Sequence, residues 1–273
     1  MKSTPQLLQY QAERGQLLDA LLDLLQHDPA VRAAWLFGSM GRGDEDALSD
    51  LDLWVVVEDG QFPAILADPR AWAARVGQPV LWLEVPQNAP QGGAYGMTCY
   101  PGAVAPLIVD WYWQPCGLAH IPGEVRLLFE RAAAGQADGE KRLERRDSPP
   151  HFGEGQPLAP AKPPLLHTLS FFWLMLMITA KYAAREPFAP RLDLLPYLLG
   201  PLAEAHQILG LDSEPVGEDT PSPGEKIRLL RCLSGRMSAC MAALARLGEE
   251  VPTPVEPEAR RYLDLIASLL PEG

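Results

Sequence analysis

The sequence predicts an α+β protein in two parts. An N-terminal unit of mixed helices and strands covers residues 1–148, a proline-rich linker covers 149–164, and a helical bundle covers 165–273. Three observations carry this. Leucines recur at helical spacing near the N-terminus. Short β-branched and aromatic runs bounded by turn residues then follow one another up to residue 129. Beyond residue 164 the strand signals vanish and the long apolar segments keep a helical period.

The elements follow in order. Gln6 to Gln26 shows leucines at helical spacing, Leu7, Leu8, Leu17, Leu18, Leu21, Leu22, Leu24 and Leu25, which reads as an amphipathic helix with Gly15 a weak point and His27-Asp28-Pro29 ending it or starting a short turn. Ala33 to Phe37 and Leu51 to Val57 read as buried strands. Phe62 to Val76 is helical with a break near Pro69, and Pro79 to Val85 is a third strand. Ala94 to Tyr100 and Leu107 to Trp113 flank Pro101-Gly102-Ala103 as a β-hairpin, and Val125 to Phe129 is a last short strand. Charge runs and then prolines fill 130–164. Helices are expected at Leu165 to Arg185, Leu192 to Leu209, Lys226 to Leu247 and Glu256 to Leu270, with a loop from Asp212 to Gly224.

Composition narrows the function. Hydrophobic residues make up 47% of the 273 positions, enough for a sizeable core. The net charge of −12 argues against a nucleic-acid partner, which needs a basic face, and suits a cationic one or simply solubility, the commoner reason for an acidic chain. The four cysteines show no C-x-x-C spacing, so neither a zinc site nor a disulfide framework is expected. The N-terminus lacks the apolar stretch of a signal peptide. The most apolar run, Leu169 to Ala180, is shorter than the roughly 20 residues a bilayer requires. A cytoplasmic protein with no membrane partner is the expectation. The five histidines show no ligand spacing, and Trp111 and Trp113 are expected in the core, on the face opposite Asp110 and Tyr112.

One segment carries chemistry. An apolar run ends in Gly38-Ser39, a glycine-rich charged loop with Arg42-Gly43 follows, and Ser49-Asp50-Leu51-Asp52-Leu53 leads into the next apolar run. Alternation puts Asp50 and Asp52 on one face of a strand. Two adjacent carboxylates repel, so a cation between them is expected, and an all-oxygen site suits Mg2+, which also binds substrate phosphates. Gly38 lets backbone approach a ligand closely. Ser39 adds a hydroxyl, Arg42 a charged fork for phosphate oxygens, and a helix starting at the loop would aim N–H groups at the same place.

Gly38-Ser39, Arg42-Gly43 and Ser49-Asp50-Leu51-Asp52-Leu53, in that order and spacing, resemble the signature of the nucleotidyltransferase superfamily, whose members share a minimal fold with DNA polymerase beta. The resemblance is specific over 33–57 and looser over 79–131. It implies a mixed β-sheet flanked by helices. It also implies a third carboxylate on a neighbouring strand, for which Asp110, a lone acid in an apolar strand, is the candidate, because a buried acid is expensive without a partner or metal. Glu84 is the runner-up. Two Mg2+ ions on Asp50, Asp52 and Asp110 and ATP as donor follow from the same resemblance, with Gly38, Ser39, Arg42 and Ser49 at the nucleotide. The helical half is similar to that of aminoglycoside-type antibiotic nucleotidyltransferases, where a helix lysine reaches the triphosphate. Lys181 is the matching residue, but Met177 stands where kanamycin-modifying members carry a glutamate base. Glu84, Asp110, a metal-bound hydroxide or the substrate remain as the base.

The expected activity is AMP transfer from ATP to a hydroxyl of a small cationic, aminoglycoside-like molecule. Adenylylation of a protein partner, as in antitoxin-type relatives, and a non-catalytic nucleotide-binding module are the alternatives. The chain is expected as a monomer or a homodimer, since some relatives build their site across a dimer.

Overall fold

The computed structural model describes residues 3–131, 142–147, 164–185, 194–212, 222–252 and 255–270. Apart from Pro164, the expected linker lies outside them, as does most of the loop expected at 212–224. The protein is α+β, as expected, and forms two compact units: Gln11–Tyr100 with Leu107–Lys162, and Met1–Tyr10 and Pro101–Pro106 with Pro163–Gly273.

The first unit is built on a mixed six-stranded sheet. Its strands are β1 (Val31–Leu36), β2 (Leu51–Val57), β3 (Leu81–Glu84), β4 (Ala94–Tyr100), β5 (Leu107–Pro115) and β7 (Arg126–Glu130), in the spatial order β3-β4-β5-β2-β1-β7. β2 and β5 run parallel, and every other neighbouring pair is antiparallel. Two further strands, β6 (Ile121–Pro122) and β8 (Arg145–Arg146), pair apart from this sheet and are too short to leave a periodic signal in sequence. The helices are α1 (Pro5–His27), the single turn α2 (Gly38–Arg42), α3 (Phe62–Ala67) and α4 (Pro69–Ala73), the last two separated at Pro69 as expected.

Directly paired residues of neighbouring strands share a face, so the register sorts the side chains. One face carries Leu36, Leu53, Val55, Trp111 and Trp113, which pack with Leu21 and Leu25 of α1, Phe62 and Ile65 of α3 and Trp72 of α4. Trp111 and Trp113 stack at 5.2 Å, and Trp72 stands edge-on to both. Burying each such side chain contributes about 1.5–3 kcal/mol. Across the opposite face runs an aromatic row, Trp35, Trp54, Tyr112 and Tyr95, with centroid spacings of 5.8, 5.1 and 4.7 Å. Packed on both sides, the strands at the middle of the sheet are held stiffly, and the acids of β2 and β5 ride on them.

The second unit contains α5 (Leu165–Arg185), α6 (Pro196–Leu209), α7 (Pro223–Arg246) and α8 (Val255–Leu269). α6 and α7 begin at prolines, whose fixed φ suits the first helical turn. α7 also starts on a capping box, Ser222 with Glu225, which places its start before Lys226. The apolar run around Leu169 extends into a 21-residue helix, long and apolar enough by length and composition to cross a bilayer, but most of it is buried against other residues. Arg261 donates to the Ala103 carbonyl at 3.0 Å and Tyr10 meets Tyr262 edge-on, which ties the 101–106 turn and the first residues of α1 into this helical unit.

Candidate active site

The loop after β1 is shaped by what it must lie against. The Phe37 N–H donates to the Asp52 carbonyl at 2.8 Å, extending the β1–β2 pairing by one residue. Gly38 then turns into the left-handed region at φ 60°, and a Cβ there would stand 2.2 Å from Asp52 Oδ2. Asp52 thus rests its carboxylate on the backbone of the glycine turn. α2 closes after one turn on Gly43, also left-handed at φ 77°, where a Cβ would meet open space.

Behind this turn lies a hydrogen-bond network. The Ser39 hydroxyl donates to Ser49 Oγ at 3.1 Å, and the Ser49 hydroxyl donates to Asp46 Oδ1 at 3.2 Å. The N–H groups of Asp46 and Leu48 donate to Ser49 Oγ and Asp46 Oδ1 at 3.0 and 2.9 Å. Arg14 of α1, itself buried, donates to the carbonyls of Asp46, Ala47 and Ser49 at 3.1, 3.4 and 2.6 Å. Ser49, expected at the nucleotide, is buried and engaged in holding the loop that leads to Asp50. Arg42 makes a two-pronged ion pair with Asp44 at 3.2 Å. Both groups are exposed, where such a pair contributes no more than about 1 kcal/mol, so a phosphate could exchange with Asp44 at little cost.

The register brings two of the three expected carboxylates together. Asp52 pairs directly with Asp110 on the adjacent parallel strand, which puts both side chains on the face of the aromatic row. Their backbones are separated by the ordinary strand spacing of about 4.8 Å. Asp110 is buried and accepts a hydrogen bond from the Tyr95 hydroxyl at 2.7 Å. Burial, and next the negative charge of Asp110, push the ionisation of Tyr95 and of Tyr112 far above the ordinary tyrosine range, so both are neutral. Asp50 directly precedes β2, half-buried, two residues from Asp52. Among the described residues, no group of three or more His, Cys, Asp or Glu side chains is gathered as a ready-made metal cage. The Asp52–Asp110 pair nonetheless fits Mg2+, which ordinarily takes one or two protein carboxylates and completes its shell with water and substrate phosphate.

Glu84 does not share this place. It pairs with Gly96, which pairs with Trp111, and it accepts a hydrogen bond from the Trp82 indole at 3.3 Å, so it lies on the opposite face of the sheet from Asp110. That removes it as a base, for a reason its own strand could not show. In the helical unit, Lys181 is buried on α5 with Nζ 5.7 Å from the Tyr182 ring centroid, and Met177 is fully buried on the same helix.

Two contributors escaped the sequence reading. Tyr95 sits on the predicted hairpin strand, two positions from the residue paired with Asp110, but nothing local distinguishes it from a core tyrosine. Arg14 interrupts the leucine face of α1, and an arginine on that face is the one available signal that it serves something buried.

The chain matches no curated protein at a significant level. Residues 19–71, running from α1 through β1, α2 and β2 into α4, match the family described as polymerase beta, nucleotidyltransferase, and this match supports the nucleotidyltransferase superfamily for the unit that carries Gly38, Ser39, Asp50 and Asp52.

Proposed function

We propose that this chain is a Mg2+-dependent nucleotidyltransferase that moves AMP from ATP to a hydroxyl of a small cationic molecule of the aminoglycoside kind. The observation that carries this reading is the side-by-side register of Asp52 and Asp110, with Asp52 seated on the Gly38 backbone. Asp52 and Asp110, joined by Asp50, would hold the metal. A divalent cation there supplies charge neutralisation to the phosphates and acidifies an acceptor hydroxyl. The chain's own part is positioning. Gly38 seats the Asp52 carboxylate, and Arg42 can exchange Asp44 for a phosphate oxygen. The acceptor oxygen forms its bond to the α-phosphorus as the bond to the bridging oxygen breaks, releasing pyrophosphate, and the hydroxyl proton is lost. The net charge of −12 favours a cationic acceptor.

The test is transfer of label from α-labelled ATP, with Mg2+, to a panel of aminoglycosides and lincosamides. Labelled product is expected from the wild type and none from Asp50→Asn/Asp52→Asn, whereas Glu84→Gln should keep the rate. Unchanged transfer by the double variant would sink the mechanism. Label on a single protein partner would move the acceptor to a protein, and ATP binding without any product would leave a binding module.

A further inference from the structure

We propose that Tyr95 is a positioning residue for the metal site, holding Asp110 in the orientation that the cation needs; this rests on the nucleotidyltransferase reading above. Asp110 is buried at the centre of the sheet, where a carboxylate without hydrogen-bond donors is costly. The Tyr95 hydroxyl donates to Asp110 Oδ1 at 2.7 Å, from the strand on the side away from Asp52. Asp110 is thus held from the β4 side while its neighbour on the β2 side is Asp52.

The donor is stiffly placed. The Tyr95 ring packs on Tyr112 at 4.7 Å, and Tyr112 stacks on Trp54 at 5.1 Å. Tyr95 and Tyr112 are direct cross-strand partners, so the hydroxyl reaches diagonally to the residue two positions before its partner. A carboxylate with two freely exchanging orientations would have to be fixed on binding. One oxygen already fixed by a rigid phenol removes that cost, and partners of metal-ligating carboxylates typically change metal affinity or activity 10–100-fold when lost.

The test compares Tyr95→Phe with Thr98→Val and Asp52→Asn, using Mn2+ alone as probe, its free concentration read by electron paramagnetic resonance. Tyr95→Phe keeps the ring and loses only the hydroxyl. Thr98 is an equally buried hydroxyl that donates to the Val109 carbonyl and accepts from the Trp111 indole on the other face, so Thr98→Val controls for loss of any buried hydrogen bond. The expected result is Mn2+ binding about tenfold weaker in Tyr95→Phe, unchanged in Thr98→Val and lost in Asp52→Asn. In transfer assays, the Mg2+ concentration for half-maximal rate should rise by a similar factor in Tyr95→Phe, with the maximal rate recovered at high Mg2+. Wild-type Mn2+ affinity in Tyr95→Phe, beside loss in Asp52→Asn, overturns the role of Tyr95 while leaving the metal site standing. Equal weakening in Tyr95→Phe and Thr98→Val shows a merely structural effect and also overturns it. No Mn2+ binding by the wild type overturns the metal reading, and the role of Tyr95 with it.

Discussion

Gly38→Ala, read against Gly43→Ala, isolates what the glycine turn does for Asp52. Both glycines are left-handed, at φ 60° and 77°, so an alanine at either position carries the left-handed strain of about 1–2 kcal/mol. At Gly43 that is all, because the new Cβ meets open space. At Gly38 the Cβ arrives 2.2 Å from Asp52 Oδ2 and 2.8 Å from its Cγ. The carboxylate must then retreat by about 1 Å, a displacement that costs on the order of a hundredfold in rate where reacting groups are aligned. A hundredfold is about 2.7 kcal/mol of transition-state stabilisation. Urea unfolding should show a loss of about 1–2 kcal/mol for Gly43→Ala and at least that for Gly38→Ala. The rate of label transfer and the Mn2+ affinity should separate them, with Gly43→Ala near wild type and Gly38→Ala reduced about a hundredfold in rate. Equal activity in the two variants would refute the claim that Asp52 is aimed by its seat on Gly38.

The remaining expectations concern the scaffold. Burial raises the ionisation of Tyr95, Tyr100 and Tyr112 above its unfolded value, so their contribution to stability is fully present below about pH 10 and falls as pH rises beyond it. Following tyrosinate absorbance with pH should therefore show these three of the seven tyrosines ionising only as the protein unfolds, and all seven titrating together in folded protein would contradict the packing. Arg14→Met keeps the apolar stem on α1 but strips the donor from three carbonyls, with an expected loss of about 1–3 kcal/mol by denaturant unfolding. Amide exchange should quicken across residues 46–50, and unchanged exchange there would remove Arg14 from the loop's support.

What could be read in the sequence is what depends on neighbours along the chain. Gly38-Ser39, the charged loop and Asp50-Leu51-Asp52 are local, and so is the alternation that separates Asp110 from Trp111. The hairpin of β4 and β5 was legible for the same reason. The parallel pairing of β2 with β5 joins strands far apart in the chain, and only that pairing sets Asp52 beside Asp110. Glu84 shows the limit sharply. On its own strand it stood as the runner-up to Asp110, and a one-residue change of register would have put it on the acids' face. The register with Gly96 and Trp111 decides against it. Tyr95 and Arg14 were missed for a related reason: each is defined by the acceptor it meets, a carboxylate on the next strand and three loop carbonyls beyond the end of α1. The motif therefore identifies the acids proposed to hold the metal, and tertiary pairing identifies the donors beside them. A substitution scan confined to the motif would find Asp52 and overlook Tyr95, although the orientation of the Asp110 carboxylate beside Asp52 rests on both strands that flank β5.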